Sequence, residues 1–186
     1  MDEPVRILMI SGSLRAGSAS TTLLQTVPEV VDPAAVEARM YFGLGGLPHF
    51  NPDDDFDPLH PAVAELRDMI GEADALLFST PEYAGSLPGS FKNLLDWTVG
   101  DTRISDKPTA WINCAAPGRA EPTYATLRNV LNYTGAGIVE EACVRIPVSR
   151  AAIDTEAGTV SDPVAREGLA EAVEILARYA REARSE

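Results

Sequence analysis

Cysteine is scarce in this 186-residue sequence: Cys114 and Cys143 stand far apart, with no CxxC spacing and no clustered histidines. That removes the usual zinc and iron–sulfur readings, which need grouped thiolates or imidazoles, and leaves two reduced thiols packed in strands. Positive charge is also short. Lys and Arg total 15 against 28 Asp and Glu, a formal net charge of -13, and such a surface repels DNA, RNA and anionic lipid. Any anionic ligand must therefore be held by a local positive feature. Long apolar runs are missing as well. The opening MDEPVRILMIS is acidic, its apolar stretch is too short for a secretory signal, and no run of about 18 apolar residues occurs later. The expectation is a cytoplasmic protein with no nucleic-acid partner and no membrane partner.

What is present is an ordinary globular balance, 45% hydrophobic and 23% charged, at a length that suits one domain spanning residues 1–186. Residues 5–10 form a short apolar run broken only by Arg6, the pattern of a strand buried on both faces. Ser20 or Thr21 can cap a following helix that runs to Val31. Residues 36–44 are strand-like, and GLGGLPHFNPDDDFDPLHP then carries too much Gly, Pro and Asp for regular structure. Helical spacing resumes over 62–72, strand 75–79 follows, and a helix leaves Pro88 with Phe91, Leu94, Leu95 and Thr98 on one face. Strand 109–115, helix 122–133, strand 138–148 and a closing helix 164–184 complete the chain; Leu169, Ala172, Val173, Leu176, Ala177 and Ala180 form the buried stripe of that last helix.

Five strands alternating with five helices predict an α/β, three-layer domain with a five-stranded parallel sheet in the flavodoxin-like order 2-1-3-4-5. Ligands in such sheets bind beyond the carboxyl ends of the strands where the order reverses, here between the first and third. The loops at that point are 11–20 and 80–87.

The first loop reads ISGSLRAGSASTT. A helix N-terminus supplies free N–H groups and a positive dipole end; Ser and Thr add hydroxyls, and the Arg15 guanidinium can grip phosphate oxygens in a fork. Ser18 stands where a triphosphate loop would have lysine, and GxGxxG is absent, which disfavours ATP, GTP and a dinucleotide fingerprint. A monophosphate fits; an ordinary capped turn is the competing reading. The second loop, TPEYAGSLPGSFKNLLDW, has a tight turn at Gly85-Ser86 and amides of the kind a flavin ring needs, with Tyr83 as a flat face.

These two stretches closely resemble the NADPH-dependent FMN reductases, flavodoxin-like proteins that also include quinone, azo-dye and chromate reductases. The resemblance runs over about 5–148 in element order, with residue-level matches in the two loops. It implies that Ser13, Arg15, Ser18, Ser20 and Thr21 hold the FMN phosphate and that Pro81, Glu82, Tyr83, Ala84, Gly85 and Ser86 line the ring, with Pro117, Gly118 and Arg119 at the nicotinamide or flavin edge. It further implies hydride transfer from NADPH or NADH to flavin N5 without a catalytic side chain or a metal, and then reduction of a small acceptor: a free flavin, quinone, azo compound or metal oxyanion. Relatives of this kind assemble as homodimers or homotetramers, and the helix from Pro88 to Gly100, with Phe91 and Trp97, is the expected contact. Two departures stand out: Ser20 where the family usually has Asn, and Ala84 where it usually reads PEYN.

Two other readings compete, a flavodoxin-type electron carrier that does not oxidise NAD(P)H and a flavin-free member of the fold. Trp97 has a competing role in core packing, Lys92 and Asp96 form a surface pair, and Cys114 is a structural thiol beside the site. Glu82 faces solvent or a neighbouring subunit, with its N–H toward the flavin. His49 and His60 flank NPDDDFD, which reads as a solvated charge run rather than a metal site.

Overall fold

In the computed structural model, which describes residues 3–185, the main sheet is parallel throughout and ordered β2-β1-β3-β4-β5. β1 spans Val5–Ser11, β2 Val36–Tyr41, β3 Ala75–Ser79, β4 Pro108–Asn113 and β5 Gly137–Ile138. The helices are α1 (Ala19–Gln25), α2 (Val27–Val30), α3 (Pro61–Glu72), α4 (Gly89–Asp96), α5 (Glu121–Thr134) and α6 (Pro163–Ala183). This is the expected three-layer arrangement, and the two-residue period of the strands explains it. Val5, Ile7 and Met9 of β1, with Ala75 and Leu77 of β3, face the cluster packed by α1 and α6. Leu8, Ile10, Leu76 and Phe78 point the other way, toward α3, α4 and α5.

β1 pairs with both β2 and β3, Ile7 lying opposite Ala38 on one side and Ala75 on the other. Its carboxyl end is therefore central. The expected stripe of α6 is buried, and Asp162 caps the helix by accepting from the Val164 and Ala165 N–H groups at 2.9 Å each.

Several boundaries differ from expectation. Ser18, and neither Ser20 nor Thr21, caps α1, and the helix breaks at Thr26 because Pro28 has no N–H for the carbonyl four residues back. β2 stops at Tyr41, and Gly43–Gly46 forms a 3-10 turn beneath the Tyr41 ring, where a Cβ on Gly43 would lie 2.6 Å from the phenol oxygen. The expected strand 138–148 is split into β5 and a short β6 (Val144–Arg145), both paired to β4. Between them Glu140 and Glu141 turn outward to Arg128 and Arg178. A hairpin of β7 (Ile153–Asp154) and β8 (Thr159–Val160) was not expected at all.

The acidic loop is not wholly solvated. Asp55 sits 2.7 Å from the buried Arg67 guanidinium, which also donates twice to the Trp97 carbonyl at 3.0 and 2.8 Å. His60 caps α3, its Nδ1 accepting from the Ala62 N–H at 3.3 Å. Trp97 is core, 1% exposed, and its indole N–H donates to the Pro48 carbonyl at 2.8 Å. Phe91 is 0% exposed. Both rings are spent inside the protomer, so they do not form the subunit contact assigned to that helix. Lys92 and Asp96 form the expected surface pair.

Removing one partner of a buried ion pair strands the other charge in low dielectric. Arg67→Ala is expected to lower stability by about 3–5 kcal/mol, seen as a reduced urea midpoint. A loss below about 1 kcal/mol would mean that the pair behaves as an exposed one.

Candidate active site

The chain leaves β1 at Gly12 and β3 at Thr80, and the two exits touch: the Gly12 N–H donates to the Ser79 carbonyl at 2.9 Å. A Cβ on Gly12 would lie 2.2 Å from Thr80 Oγ1, so glycine is needed for this approach. Tyr124 of α5 fastens the same point from below. Its buried hydroxyl faces the carbonyls of Thr80 at 3.0 Å and Ile112 at 2.8 Å and accepts from the Thr80 N–H at 3.3 Å. Burial pushes this phenol well above the ordinary tyrosine range, beyond what its hydrogen bonds offset, so it stays a neutral structural latch.

Above this floor opens a cavity of about 530 Å³, the size of a small-molecule site. Of the expected residues, Ser13, Arg15, Ser18, Ser20, Pro81, Glu82, Tyr83 and Arg119 line it. Thr21 lies behind the wall, its hydroxyl 2.8 Å from both Ser11 Oγ and Ser18 Oγ. Ala84, Gly85 and Ser86 form the turn beside the cavity, and Pro117 and Gly118 lie on the exposed loop behind its lining. Ser20 is buried with its Oγ 3.4 Å from Cys114 Sγ, so this hydroxyl is turned toward the end of β4.

Among the described residues, Arg15 has no carboxylate within ion-pair distance, and the first-turn N–H groups of Ala19 and Ser20 have no acceptor. The loop 11–20 thus presents a cation and free donors to the same space. No group of three or more metal-binding side chains occurs among the described residues.

The second loop is a two-residue hairpin turn. Tyr83 and Ser86 exchange backbone hydrogen bonds at 3.0 and 3.1 Å, and Ala84 and Gly85 have φ of 51° and 72°. Two successive positive φ angles define the type I′ turn, whose favoured sequence is Asn-Gly. Ala84 therefore carries backbone strain as well as lacking an amide. The amides of Tyr83 and Ser86 are consumed inside the turn, which leaves the Glu82 N–H as the unpaired donor whose residue lines the cavity. The Glu82 carboxylate is not simply solvated, because Oε2 accepts from Thr123 Oγ1 at 2.9 Å.

Thr80, Cys114, Ala115, Ala116 and Ala120 also line the cavity, as do Val148, Arg150, Ile153 and Thr155. The last four come from the segment with β7 and β8. Its turn chemistry was the available signal: Asp154 Oδ1 accepts from the Glu156 and Ala157 N–H groups, and Gly158 has φ 71°. What carries the hairpin to the site is long-range, a Val160 N–H donating 2.9 Å to Thr26 Oγ1.

The family described as NADPH-dependent FMN reductase matches residues 5–149. An NAD(P)H-dependent FMN reductase of Pseudomonas aeruginosa is 33% identical over 189 residues, 99% of this chain and 100% of that one. A quinone reductase of Escherichia coli is 33% identical over 111 residues, 59% of this chain and 57% of that one. Among solved structures, the flavoenzyme NAD(P)H:(acceptor) oxidoreductase FerB from Paracoccus denitrificans superposes with a TM-score of 0.81 at 28% identity, covering 96% of this chain and 98% of that one.

A left-handed conformation costs an L-residue roughly 1–2 kcal/mol relative to glycine. Ala84→Gly and Ala84→Asn are each expected to raise the urea midpoint by up to about 1 kcal/mol in stability. Ala84→Val should lower it; equal midpoints for all three would count against a strained turn.

Proposed function

The chain belongs to the NADPH-dependent FMN reductase family and is an FMN-dependent NAD(P)H oxidoreductase, and we propose that the cavity at the ends of β1 and β3 is where it holds the flavin and both substrates. The observation that carries this is the convergence of the unpaired Arg15 loop and the Pro81–Ser86 turn on one cavity of about 530 Å³.

The residues present fit a flavin mononucleotide. Arg15, the Ser13 and Ser18 hydroxyls and the first-turn amides of α1 would hold the phosphate, with Ser20 contributing its amide while its hydroxyl faces Cys114. Thr21 acts by orienting Ser18. Pro81, Glu82 and Tyr83 would wall the ring, the Glu82 N–H being the donor aimed at a ring heteroatom, and Ala84, Gly85 and Ser86 shape that wall. Pro117 and Gly118 would border the nicotinamide or flavin edge, with the Arg119 guanidinium beyond them at the exposed rim. The chemistry supplied by bound FMN is hydride acceptance from the reduced nicotinamide and delivery of electrons to the acceptor. The protein's own part is binding and orientation, and the proton that accompanies the hydride to the acceptor comes from solvent at the exposed rim.

The acceptor is proposed to be a small molecule of the quinone, azo, free-flavin or metal-oxyanion class, with the quinone reductase relative supporting the first. Residues 1–186 are read as one domain, supported by two buried clusters sharing one sheet. A homodimer or homotetramer is proposed through the face carrying Leu14, Phe42 and Tyr83, which are 62%, 75% and 53% exposed, in place of the buried Phe91 and Trp97. Among the described residues no helix is long and apolar enough to cross a membrane; with the acidic surface and two unbridged cysteines, this supports a cytoplasmic placement.

Anaerobic mixing of FMN-loaded protein with NADPH or NADH is expected to bleach the oxidised-flavin absorbance rapidly. Absence of bleaching with both nucleotides would leave an electron carrier as the reading. Arg15→Ala should weaken FMN binding roughly ten- to a hundredfold, corresponding to loss of a charge-assisted contact of about 1.5–3 kcal/mol. Unchanged FMN affinity would remove Arg15 from the phosphate site.

A further inference from the structure

Carboxylates outnumber cations nearly two to one in this chain, 28 to 15, so a guanidinium that lacks a partner is unusual. Among the described residues, every arginine but three donates to a carboxylate or a backbone carbonyl; Arg181, for example, reaches the Ala35 carbonyl at 3.4 Å. The three exceptions are Arg15, Arg119 and Arg150, and all three line the same cavity. The one carboxylate in its lining, Glu82, is turned to Thr123. Three positive groups around one space repel one another until an anion arrives, and they come from three separate segments.

Arg119 and Arg150 are held by their backbones and free at their tips. The Arg119 carbonyl accepts from Arg145 Nη2 at 3.0 Å and Asn113 Nδ2 at 3.4 Å, while Arg145 Nη1 also ties down Ala115 and Ala116. Arg150 lies between the Val148 N–H, which donates to Cys114 at 3.0 Å, and the hairpin anchored on Thr26. Both side chains are exposed at the rim, as is Thr155, whereas the β1 and β3 ends form the inner wall. Arg150 lies outside the stretch matched to the family, which ends at residue 149.

We propose that Arg119 and Arg150 form a second anion subsite that takes the 2′-phosphate of the hydride donor and so makes the protein select NADPH over NADH. This rests on the oxidoreductase reading above. The two donors differ only by that phosphomonoester, which is close to dianionic near neutral pH because its second pKa is about 6. Paired forks suit such a group. A dinucleotide with its reacting ring at the inner wall presents its far end to the rim, where these arginines wait. The third unpaired guanidinium, Arg15, is committed to the opposite loop.

The test uses FMN-loaded protein and two probes that cannot transfer hydride, adenosine 2′,5′-bisphosphate and 5′-AMP, titrated calorimetrically. The bisphosphate should bind about tenfold or more tightly than AMP, and Arg119→Gln and Arg150→Gln should each remove about tenfold of that preference. Arg150→Lys should restore part of it, which a loss through misfolding would not. The NADPH-to-NADH ratio of kcat/KM should fall in parallel. Equal binding of the two probes by the unsubstituted protein, or a preference untouched by either substitution, would overturn the subsite. Loss of FMN from either glutamine variant would do so too, by assigning the arginine to the cofactor. Bleaching of the flavin with an unchanged nucleotide ratio defeats only this assignment; no bleaching at all defeats the oxidoreductase reading beneath it.

Discussion

The site depends on the direct pairing of β1 with β3. Because β2 lies on one side of β1 and β3 on the other, the chain must leave β1 toward one face and β3 toward the other, and a crevice opens between the two exits. The hydrogen bond from Gly12 to Ser79 closes the floor of that crevice, and the absence of a Cβ at Gly12 permits it. Tyr124 and the Ser79 hydroxyl, which donates to the Ile112 carbonyl at 2.8 Å, then lock β3 to β4. With these three points joined, the loops above them have little freedom in where they can go.

Charge is organised around the same place. Most of the arginines are consumed by carboxylates elsewhere, from Arg67 in the buried network with Asp55 to Arg6 and Arg184, which share Asp74. Burial alone would raise the Asp74 carboxyl, but hydrogen bonds from Arg184 and Arg6 outweigh it and hold that group well below the usual carboxylate range. What is left unpaired collects in the cavity. An acidic protein can thus bind anionic cofactors and substrates without a basic surface, because the field that matters is local.

Much of the fold was legible because its signals are local. Short apolar runs with alternating faces marked β1 and β3, and the stripe of Leu169, Val173 and Leu176 marked α6, since burial on one or two faces imposes those periods. The two signature loops were legible for the same reason, each being a contiguous stretch. Less legible was the split between β5 and β6, where a 3-10 turn buries Ala142 between two stretches whose N–H groups at Val139 and Ile146 reach the Thr109 and Asn113 carbonyls of β4. The same holds for Trp97, whose aromatic character suits an interface or a core equally until Pro48 and Phe50 are seen to enclose it.

From the chain by itself follow the class of fold, the order of strands, and the two loops that meet at the switch point with a guanidinium, hydroxyls and a tight turn. Those features are written in residue type and spacing over a few turns of backbone. The tertiary structure alone decided that Ser18 rather than Ser20 caps the first helix, that Ala84 sits in a left-handed turn, and that Arg150 arrives at a cavity whose other walls come from the separate segments 13–20, 80–83 and 114–120. The physical reason is that partner choice between distant side chains is set by sheet order and helix docking, and no local period encodes it.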